Sequence, residues 1–413
     1  MKLYFHSPAF DAQLLRLAST TYFGACDIGE CLSAASRIQE GDFDSWEAEW
    51  SKLGERLMNE GFEAEQKGHY VSAKECFLKA SNYHRAALFF DYRVDSLERL
   101  RKNYNAHAKL FEKASIFFKH PTEALKIPFL NYYMPGVFYS SSQSNEVRPL
   151  IICVGGYDST YQESYFSFVP AALRRGYNVL TFDGPGQGGL LINKGIPMRP
   201  DYEVPLKAVF QFLEKRADVD FTKIALYGVS WGGYLAARGA CFEKASALIA
   251  NPGQFDAMEN VRRALSQDNE GSSPDWEEFM QAAMKDKYFG AKIQCKMFIH
   301  GVETPNQLLQ EWKNYTLKGL SEKITCPTLI CDSENENLAP EQAKMVFESL
   351  KCPKDFLLFK ASEGAGEHTG NGNLSLVAHR VLDWLDETFH YETDIEREPE
   401  LITHDVINLG YMK

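Results

Sequence analysis

The stretch Gly228-Val-Ser-Trp-Gly-Gly233 decides the fold. It stands directly after a short apolar run, Ile224–Tyr227, and before a helix-forming segment, Tyr234-Leu-Ala-Ala-Arg238. A strand that turns sharply into a helix at G-x-S-x-G holds the serine in a strained conformation, and the flanking glycines avoid Cβ clashes. The helix that follows directs its positive dipole end at the reacting oxygen. The motif therefore predicts that Ser230 is a nucleophile at the carboxyl end of a strand.

Short apolar runs predict the other strands of this sheet. Most of them are separated by amphipathic segments of helical period, which is typical of a mostly parallel sheet covered by helices on both faces. The first two runs lie close together across Asn131 and predict an antiparallel start. The sequence therefore indicates an α/β fold with an eight-stranded, mostly parallel sheet. The runs are Ala124–Leu130, Tyr132–Tyr139, Leu150–Val154, Asn178–Phe182, Ile224–Tyr227, Ala245–Ala250, Thr328–Cys331 and Phe356–Phe359.

The chain divides into segments of different texture. Residues 1–120 place apolar residues at helical intervals and predict an N-terminal helical domain, whereas residues 121–392 carry the strand pattern. That pattern lapses at about 253–320, where methionines and aromatic residues stand among many charges. We favour a helical lid over the carboxyl edge of the sheet, where ligands of open α/β sheets bind. The alternative interpretation is that this segment simply extends the core. Residues 393–413 are acidic and aperiodic and predict a C-terminal tail.

A serine nucleophile needs a base, and this strand–turn–helix arrangement requires the chain order serine, acid, histidine. His368 stands in a glycine-rich loop, Glu363-Gly-Ala-Gly-Glu-His-Thr-Gly370, after the last predicted strand. A loop at that place can hold an imidazole over the serine, so we predict that His368 is the base. The other histidines after the serine fall in the insertion, on the last predicted helix or at its end, and in the tail: His300, His379, His390 and His404.

The acid is expected in the loop that follows the next-to-last predicted strand, Asp332-Ser-Glu-Asn-Glu-Asn-Leu-Ala-Pro340. Glu336 stands a few residues past the strand and four before the proline, and we favour it. Asp332 stands at the strand end, where a carboxylate often caps a turn, and it remains the alternative. Glu334 is expected to point into solvent. A buried carboxylate here would orient the histidine and stabilise its imidazolium form.

An oxyanion hole needs two backbone N–H groups that face the developing negative charge. One is expected from Trp231, the residue after the nucleophile. The other is expected from Tyr157 in Val154-Gly-Gly-Tyr-Asp158, which follows the third predicted strand. The alternative for this segment is a plain glycine turn. A further segment, Asp183-Gly-Pro-Gly-Gln-Gly-Gly189, formally matches G-x-G-x-x-G, and we interpret it as a tight turn that borders the site rather than a nucleotide loop.

Composition narrows the partners. The chain of 413 residues has a net charge of -12, which argues against a nucleic-acid or anionic membrane surface. Its 9 cysteines include no C-x-x-C pair and no ligand-like spacing, so we expect reduced thiols and no metal site. The chain has no run of 18 apolar residues, so we expect no membrane helix, and its N-terminus lacks a signal-peptide pattern. We therefore expect a cytoplasmic protein that acts on a small molecule.

Several motifs together resemble the 2,6-dihydroxypseudooxynicotine hydrolase family, a group with the α/β-hydrolase fold. The resemblance spans roughly residues 15–390 and implies hydrolysis of carbon–carbon bonds next to ketones; related enzymes shorten polyketide chains by retro-Claisen cleavage. It also implies a homodimer. The family usually has aspartate where this chain has Glu336. The motifs are Gly155-Gly-Tyr-Asp-Ser-Thr160, Asp183-Gly-Pro-Gly-Gln-Gly188, Arg199-Pro-Asp-Tyr-Glu203, Gly228-Val-Ser-Trp-Gly-Gly233 and Glu363-Gly-Ala-Gly-Glu-His368.

The residues and the resemblance lead to one hypothesis and two rivals. The hypothesis is cleavage of a β-diketone, an aryl ketone or a polyketide through an acyl-enzyme on Ser230, without metal or organic cofactor. The nearest rival is a carboxylesterase or thioesterase that uses the same residues. The rival from another class is a non-catalytic binding module on the same fold. An intact serine, acid and histidine set argues against that rival, since a scaffold needs none of the three.

Overall fold

The computed structural model describes residues 1–144, 146–267, 280 and 283–392. Its N-terminal part is helical, in agreement with the apolar period of the sequence. Asp27 and Asp42 cap the second and third helices through their side chains, which satisfies backbone N–H groups at each start. The third helix buries Trp46, Trp50 and Leu57 along one face. These helices are α1 Pro8–Ser19, α2 Ile28–Ala35, α3 Phe43–Gln66, α4 Tyr70–Ala87 and α5 Leu97–Ser115.

An eight-stranded sheet follows, in the order β1-β2-β4-β3-β5-β6-β7-β8. The pair β1·β2 is antiparallel and most of the other pairs are parallel, as the sequence predicted. The pair β2·β4 is antiparallel as well, which the sequence analysis did not specify. Because β3, β5, β6, β7 and β8 run in one direction, the loops after them meet at one edge. The strands are β1 Thr122–Phe129, β2 Tyr132–Tyr139, β3 Arg148–Val154, β4 Asn178–Phe182, β5 Val219–Val229, β6 Ala247–Asn251, β7 Thr328–Ser333 and β8 Lys354–Phe359.

Helices cover both faces of the sheet, and the alternation of side chains along β3 shows how the two faces are filled. Ile151 and Cys153 belong to a cluster that continues into the N-terminal helices, whereas Leu150 and Ile152 belong to a second cluster on the opposite face. The α/β fold with a mostly parallel sheet is therefore confirmed. The helices between and after the strands are α6 Glu163–Ser167, α7 Val169–Arg174, α8 Gly188–Ile192, α9 Glu203–Leu213, α10 Gly232–Ala240, α14 Gln342–Ser349 and α15 Leu374–Phe389.

Between β6 and β7 the chain forms further helices in the region that the sequence marked as an insertion. They are α11 Ala257–Gln267, α12 Lys287–His300 and α13 Pro305–Trp312. A small apolar cluster of their own includes Val261, Ile293 and Trp312. Trp276 and Phe279, two of the aromatic residues on which the lid prediction rests, lie outside the described residues, as does the predicted tail 393–413. Within the described ranges, no helix is both long and apolar enough to span a bilayer.

Candidate active site

The turn between β5 and α10 holds Ser230 in a conformation that side chains rarely adopt. Its φ is 58°, in the left-handed region, and its N–H donates to Asn251 O at 2.7 Å. The neighbouring glycines are required by space: a Cβ on Gly228 would lie 2.1 Å from the Gly232 carbonyl oxygen, and one on Gly232 would lie 2.0 Å from the Val154 oxygen. The strained turn that the motif predicted therefore raises the serine hydroxyl above the edge of the sheet.

Hydrogen bonds connect three of the residues that the sequence singled out. The Ser230 hydroxyl lies 2.8 Å from His368 Nε2, and His368 Nδ1 lies 2.6 Å from Glu336 Oε2. The other oxygen of Glu336 accepts the backbone N–H groups of Leu338 and Ala339 at 2.8 and 3.1 Å. The loops after β5, β7 and β8 supply the three side chains. Their geometry allows a proton to pass from the hydroxyl to the imidazole while the carboxylate orients the ring.

The two candidate acids lie in different surroundings. The side chain of Glu336 is only 3% exposed; burial would raise its pKa, but the hydrogen bond and charge of His368 outweigh burial and hold that pKa below its usual value. Burial raises the pKa of Asp332 to about 6, against a hydrogen bond from the Ser333 N–H and with a further rise from Glu336. Glu334 is exposed and accepts the Ala361 N–H at 2.6 Å. Glu336 is thus the carboxylate in hydrogen-bond contact with the imidazole.

The loop after β3 passes against the turn that carries Ser230. A Cβ on Gly156 would lie 2.9 Å from Ser230 Cβ and 3.2 Å from the Trp231 nitrogen, so only glycine allows this approach. The Gly156 N–H donates to Ser159 Oγ at 2.9 Å. Within the described chain, neither the Trp231 N–H nor the Tyr157 N–H has a recorded acceptor. These are the two N–H groups that the sequence predicts for an oxyanion hole, and that assignment stays a prediction.

Two other parts of the molecule hold this loop in place. From the turn after β4, Gln187 Nε2 donates to the carbonyl oxygens of Gly155 and Gly156 at 2.6 and 3.1 Å. Asp183, in the same turn, accepts the Tyr161 N–H at 2.7 Å. The segment that formally matches a nucleotide-binding pattern therefore borders the candidate oxyanion loop, and a helix of five residues, Gly188–Ile192, follows it.

The N-terminal helices hold the loop through charge. Arg16 of α1 contacts Asp158 at 2.6 Å and Glu163 at 2.7 Å, and Arg85 of α4 contacts Glu163 at 2.8 Å. The Arg85 side chain is 4% exposed. Burial would raise the pKa of Asp158, but the two guanidinium charges hold it below its usual value. Asp158 directly follows Tyr157, so four partly or fully buried charges fix one side of the candidate oxyanion loop.

Aromatic rings pack together beside the turn that carries Ser230, and we call this set the aromatic wall. Tyr157 stacks on Trp231 with ring centres 4.9 Å apart, and Trp231 stacks on Tyr234 at 4.8 Å. His300, at the end of α12, lies with Nε2 3.3 Å from Tyr157 Oη and accepts Trp312 Nε1 at 3.3 Å. Burial, together with the charge of Lys296, lowers the pKa of His300 to about 3, so its imidazole is neutral. The wall consists of Tyr157, Trp231, Tyr234, His300, Trp312 and Tyr315.

Sequence reasoning missed the groups that support the site. His300 was set aside as a base, and the structure places it in the wall and away from the triad contacts. Arg16 and Arg85 carry no local motif, and their partners lie far along the chain. A signal did exist for Asn251, because it ends a buried strand; its side-chain amide donates to the Thr369 oxygen at 3.2 Å, beside the candidate base. Among the described residues, no group of three or more His, Cys, Asp or Glu side chains could hold a metal ion.

Two family descriptions match the chain. Residues 150–357 match the description "Alpha/beta hydrolase family"; this range covers half of the chain and contains the strand–turn–helix that carries Ser230. The chain belongs to the alpha/beta hydrolase family. Residues 40–251 of the hydrolase also match the description "Esterase FrsA-like". The protein is therefore an enzyme, a hydrolase of the α/β fold.

Relatives of similar length accompany this match. Hydrolase LUC6 of a Fusarium species is 30% identical over 94% of the hydrolase and 99% of its own length. The 20-hydroxy-prefusarin hydrolase FUS2 of Gibberella moniliformis is 30% identical over 95% of the hydrolase and 99% of its own length. These matches cover the N-terminal helices as well as the sheet, so the helical part is shared with the relatives.

Solved structures show the same architecture. The 2,6-dihydroxy-pseudo-oxynicotine hydrolase superposes with a TM-score of 0.73 at 21% identity, over 91% of this chain and 97% of that one. AbyA5 superposes with a TM-score of 0.64 at 17% identity, over 90% and 94%. The resemblance inferred from the motifs is thereby confirmed. At 21% and 17% identity, these structures establish a shared fold and no more.

Proposed function

We propose that this hydrolase cleaves a carbon–carbon bond next to a ketone, in a β-diketone, aryl ketone or polyketide, through an acyl-enzyme on Ser230. The observation that carries the serine chemistry is the hydrogen-bonded series Ser230, His368 and Glu336, with distances of 2.8 and 2.6 Å. The motif resemblance favours carbon–carbon cleavage, and a relative that bears the name of a prefusarin hydrolase supports a related substrate class. Tyr157, the half-buried ring of the aromatic wall, would suit a flat, apolar substrate.

The reaction that we propose balances without a cofactor. Ser230 Oγ attacks the ketone carbon while His368 Nε2 takes the hydroxyl proton, and the N–H groups of Trp231 and Tyr157 receive the oxyanion. When the tetrahedral intermediate collapses, the carbon–carbon bond breaks and its electron pair leaves as an enolate. His368 returns its proton to that carbon. Water, deprotonated by His368, then releases the acid from the serine, while Glu336 orients the imidazole.

An esterase is the second candidate, and the match of residues 40–251 to "Esterase FrsA-like" favours it. The same serine, base and oxyanion donors would act on an ester or thioester, whose leaving group departs more easily than a carbanion. Because the geometry of the three side chains is the same for both reactions, the choice between them depends on the substrate. A panel that offers one acyl group on both kinds of leaving group separates the two candidates.

The first test of this function is covalent labelling with a fluorophosphonate, which reacts with an activated serine. We expect stoichiometric labelling of the wild type, with the label on the peptide that contains Ser230, and no labelling of Ser230→Ala or His368→Ala. Ser33→Ala is the matched control, because Ser33 is an exposed serine on α2. A folded wild type that resists the probe would contradict the serine mechanism and would favour a binding module.

The second test separates the two candidate reactions. The purified enzyme is offered 1-phenylbutane-1,3-dione and phenyl acetate, which present the same acetyl group to the serine. Release of acetate and acetophenone from the dione supports carbon–carbon hydrolysis. Hydrolysis of phenyl acetate alone, across a panel of larger diketones as well, would support the esterase instead.

A further inference from the structure

A lysine of α12 lies against the aromatic wall beside the nucleophile. Lys296 Nζ lies 5.4 Å from the ring centre of Tyr157 and 4.9 Å from that of Trp312. Aromatic faces attract a cation at such distances. The Tyr157 ring stacks on Trp231, which directly follows the nucleophile. The ammonium is therefore one aromatic ring away from the turn that carries Ser230.

This ammonium has no recorded counter-ion in the described part of the chain. The ionisable groups that act on it from its own helix are Lys292, which repels it, and Cys295. Asp158, the carboxylate that directly follows Tyr157, is already paired with Arg16 at 2.6 Å. A charge taken out of water is normally compensated by a partner. Lys296 is nevertheless only half-buried, so part of its side chain remains accessible.

His300 places a second donor on the same side of α12, one turn after Lys296. Its Nε2 accepts the Trp312 N–H, so the proton of the neutral ring is on Nδ1. Nδ1 is buried, and no acceptor for it is found among the described residues. Buried polar groups are nearly always partnered. The Nδ1 proton is thus a second polar group near Lys296 that the described residues leave without a partner.

We propose that Lys296 binds the second carbonyl oxygen of a 1,3-dicarbonyl substrate and stabilises the enolate that leaves when the carbon–carbon bond breaks. The inference rests on the proposed function and names its substrate class. The electron pair of the broken bond moves onto the leaving fragment, and negative charge collects on that second oxygen. Lys296 then lowers the energy of the transition state, because its attraction grows as the charge develops. An ester has no such oxygen in its leaving group, so Lys296 would serve the dicarbonyl reaction selectively.

The direct test measures ligand binding in a Ser230→Ala background, in which turnover cannot interfere. The probe is 2-acetylcyclohexane-1,3-dione, which is ionised near neutral pH and resembles the leaving enolate. Its enol methyl ether has nearly the same shape and no charge. Titration calorimetry gives the Kd of each compound, and thermal unfolding verifies that every variant is folded.

We expect Lys296→Met to weaken binding of the ionised dione about ten- to a hundredfold, the range for a lost charge-assisted hydrogen bond. Binding of the ether should change by about twofold or less, since it lacks the charge. Lys296→Arg keeps the charge and should retain most of the affinity. Lys313→Met is the matched control. Lys313 directly follows Trp312, but its side chain is exposed and donates to Gln310.

A kinetic comparison tests the same inference through the reaction. In the enzyme that retains Ser230, Lys296→Met should lower kcat for 1-phenylbutane-1,3-dione at least about tenfold. The same substitution should leave the hydrolysis of phenyl acetate nearly unchanged. Equal losses for both substrates would overturn the selective role.

The outcomes of the two proposals can be told apart. Unchanged dione affinity in Lys296→Met, equal affinity of the parent protein for dione and ether, or no binding of the dione would each overturn the role of Lys296. Cleavage of diketones by the wild type would still uphold the proposed function in those cases. Conversely, charge-dependent dione binding without any diketone cleavage would support Lys296 as an enolate site and remove the carbon–carbon reaction.

Discussion

Glu336 is longer by one methylene than the aspartate that is usual at this place, and its two oxygens have separate partners. One accepts from His368 at 2.6 Å, and the other is held by the Leu338 and Ala339 N–H groups at 2.8 and 3.1 Å. This division fixes the carboxylate before the imidazole becomes charged. Asp332 is nearby, but its recorded hydrogen bond at 2.9 Å is to the Ser333 N–H.

We expect Glu336→Gln to lower kcat about a thousandfold or more, because the amide neither stabilises an imidazolium nor enforces the correct tautomer. Asp332→Asn is the matched control, and its loss should stay within about tenfold. The measurement is the steady-state rate on any substrate that the enzyme turns over, with KM as a second reading. If the two variants exchanged these effects, Asp332 would be the acid.

Lys296 offers a pH prediction in the free enzyme. Burial, with repulsion from Lys292, lowers its pKa to about 8, so the ammonium is present below about pH 8 and is lost as the pH rises through that value. Affinity for an ionised 1,3-dione should therefore fall above about pH 8. The charged and titratable neighbours are Lys292, Cys295 and His300 on the same helix and Tyr157 on the loop after β3. In Lys296→Arg the fall should vanish, since arginine stays charged, and its persistence there would assign the titration to another group.

The same residue gives a stability prediction. A lysine whose pKa is lower in the folded than in the unfolded state opposes folding fully below the folded pKa, and this cost disappears as the pH rises from about 8 towards the unfolded value. At pH 7 we therefore expect Lys296→Met to raise the free energy of unfolding by about 1 kcal/mol. Thermal unfolding at pH 7 and at a pH above 10 measures the difference, which should shrink at the higher pH. A destabilised variant at pH 7 would contradict this expectation.

The sequence predicted the residues of the candidate site that stand in local motifs. Ser230 and His368 stand in glycine-bearing turns whose shape follows from the chain itself, and the structure brings them together with Glu336. Lys296 had no such signal, because a lysine on a helix is ordinarily solvated. Its place over the Tyr157 ring, with no acidic partner among the described residues, becomes visible only when α12 is packed against the loop after β3.

At the scale of elements, the loop after β3 depends on α1 and α4. Arg16 and Arg85 contact Asp158 and Glu163 across more than 70 positions of sequence, so no local pattern could have predicted the contact. The strands were easier to predict, since their apolar runs are local. Even there β5 begins at Val219 instead of Ile224, because the polar residues at its start conceal the pairing with β3.

We expect Arg16→Gln to lower kcat about tenfold while KM changes little, because Asp158 would lose its hydrogen-bonded partner and Tyr157 would no longer hold its N–H in place. Stability should fall by about 2 kcal/mol as well. Rates are measured well below the thermal midpoint so that unfolding does not contribute. Arg37→Gln provides the control, since Arg37 pairs with Glu49 on the surface at 2.6 Å. Equal rates in both variants would show that the charge cluster is structural only.

At the scale of the whole molecule, the boundary near residue 120 in the sequence is not a boundary in the core. One apolar cluster contains Phe10 and Trp46 of the N-terminal helices, Ile151 of the sheet and Leu385 of the last helix. The domain division of the sequence analysis, which followed a change in local texture, stays a prediction about the chain. Texture reports local periodicity and carries no information about which apolar faces meet.

We expect the protein to unfold in a single cooperative transition, because neither part can keep its apolar surface buried without the other. Differential scanning calorimetry should give one peak with equal calorimetric and van't Hoff enthalpies. Residues 121–392 expressed alone should be insoluble or should bind a hydrophobic dye. Two separated peaks, or a soluble and cooperatively folded fragment, would show that the parts are independent.

Helix α12 has its two ends in different neighbourhoods. Tyr288, at its start, packs edge-on against Phe10 and Phe43 of the N-terminal helices, at ring distances of 6.0 and 5.6 Å. His300, at its end, contacts Tyr157 in the candidate active site. Any change of preference that acts by shifting this helix must therefore be accommodated at both ends. If the segment between β6 and β7 is replaced by that of a relative, positions 10 and 43 should be exchanged together with it. The segment packs against both residues, so a change of substrate preference that depends on its position depends on them as well.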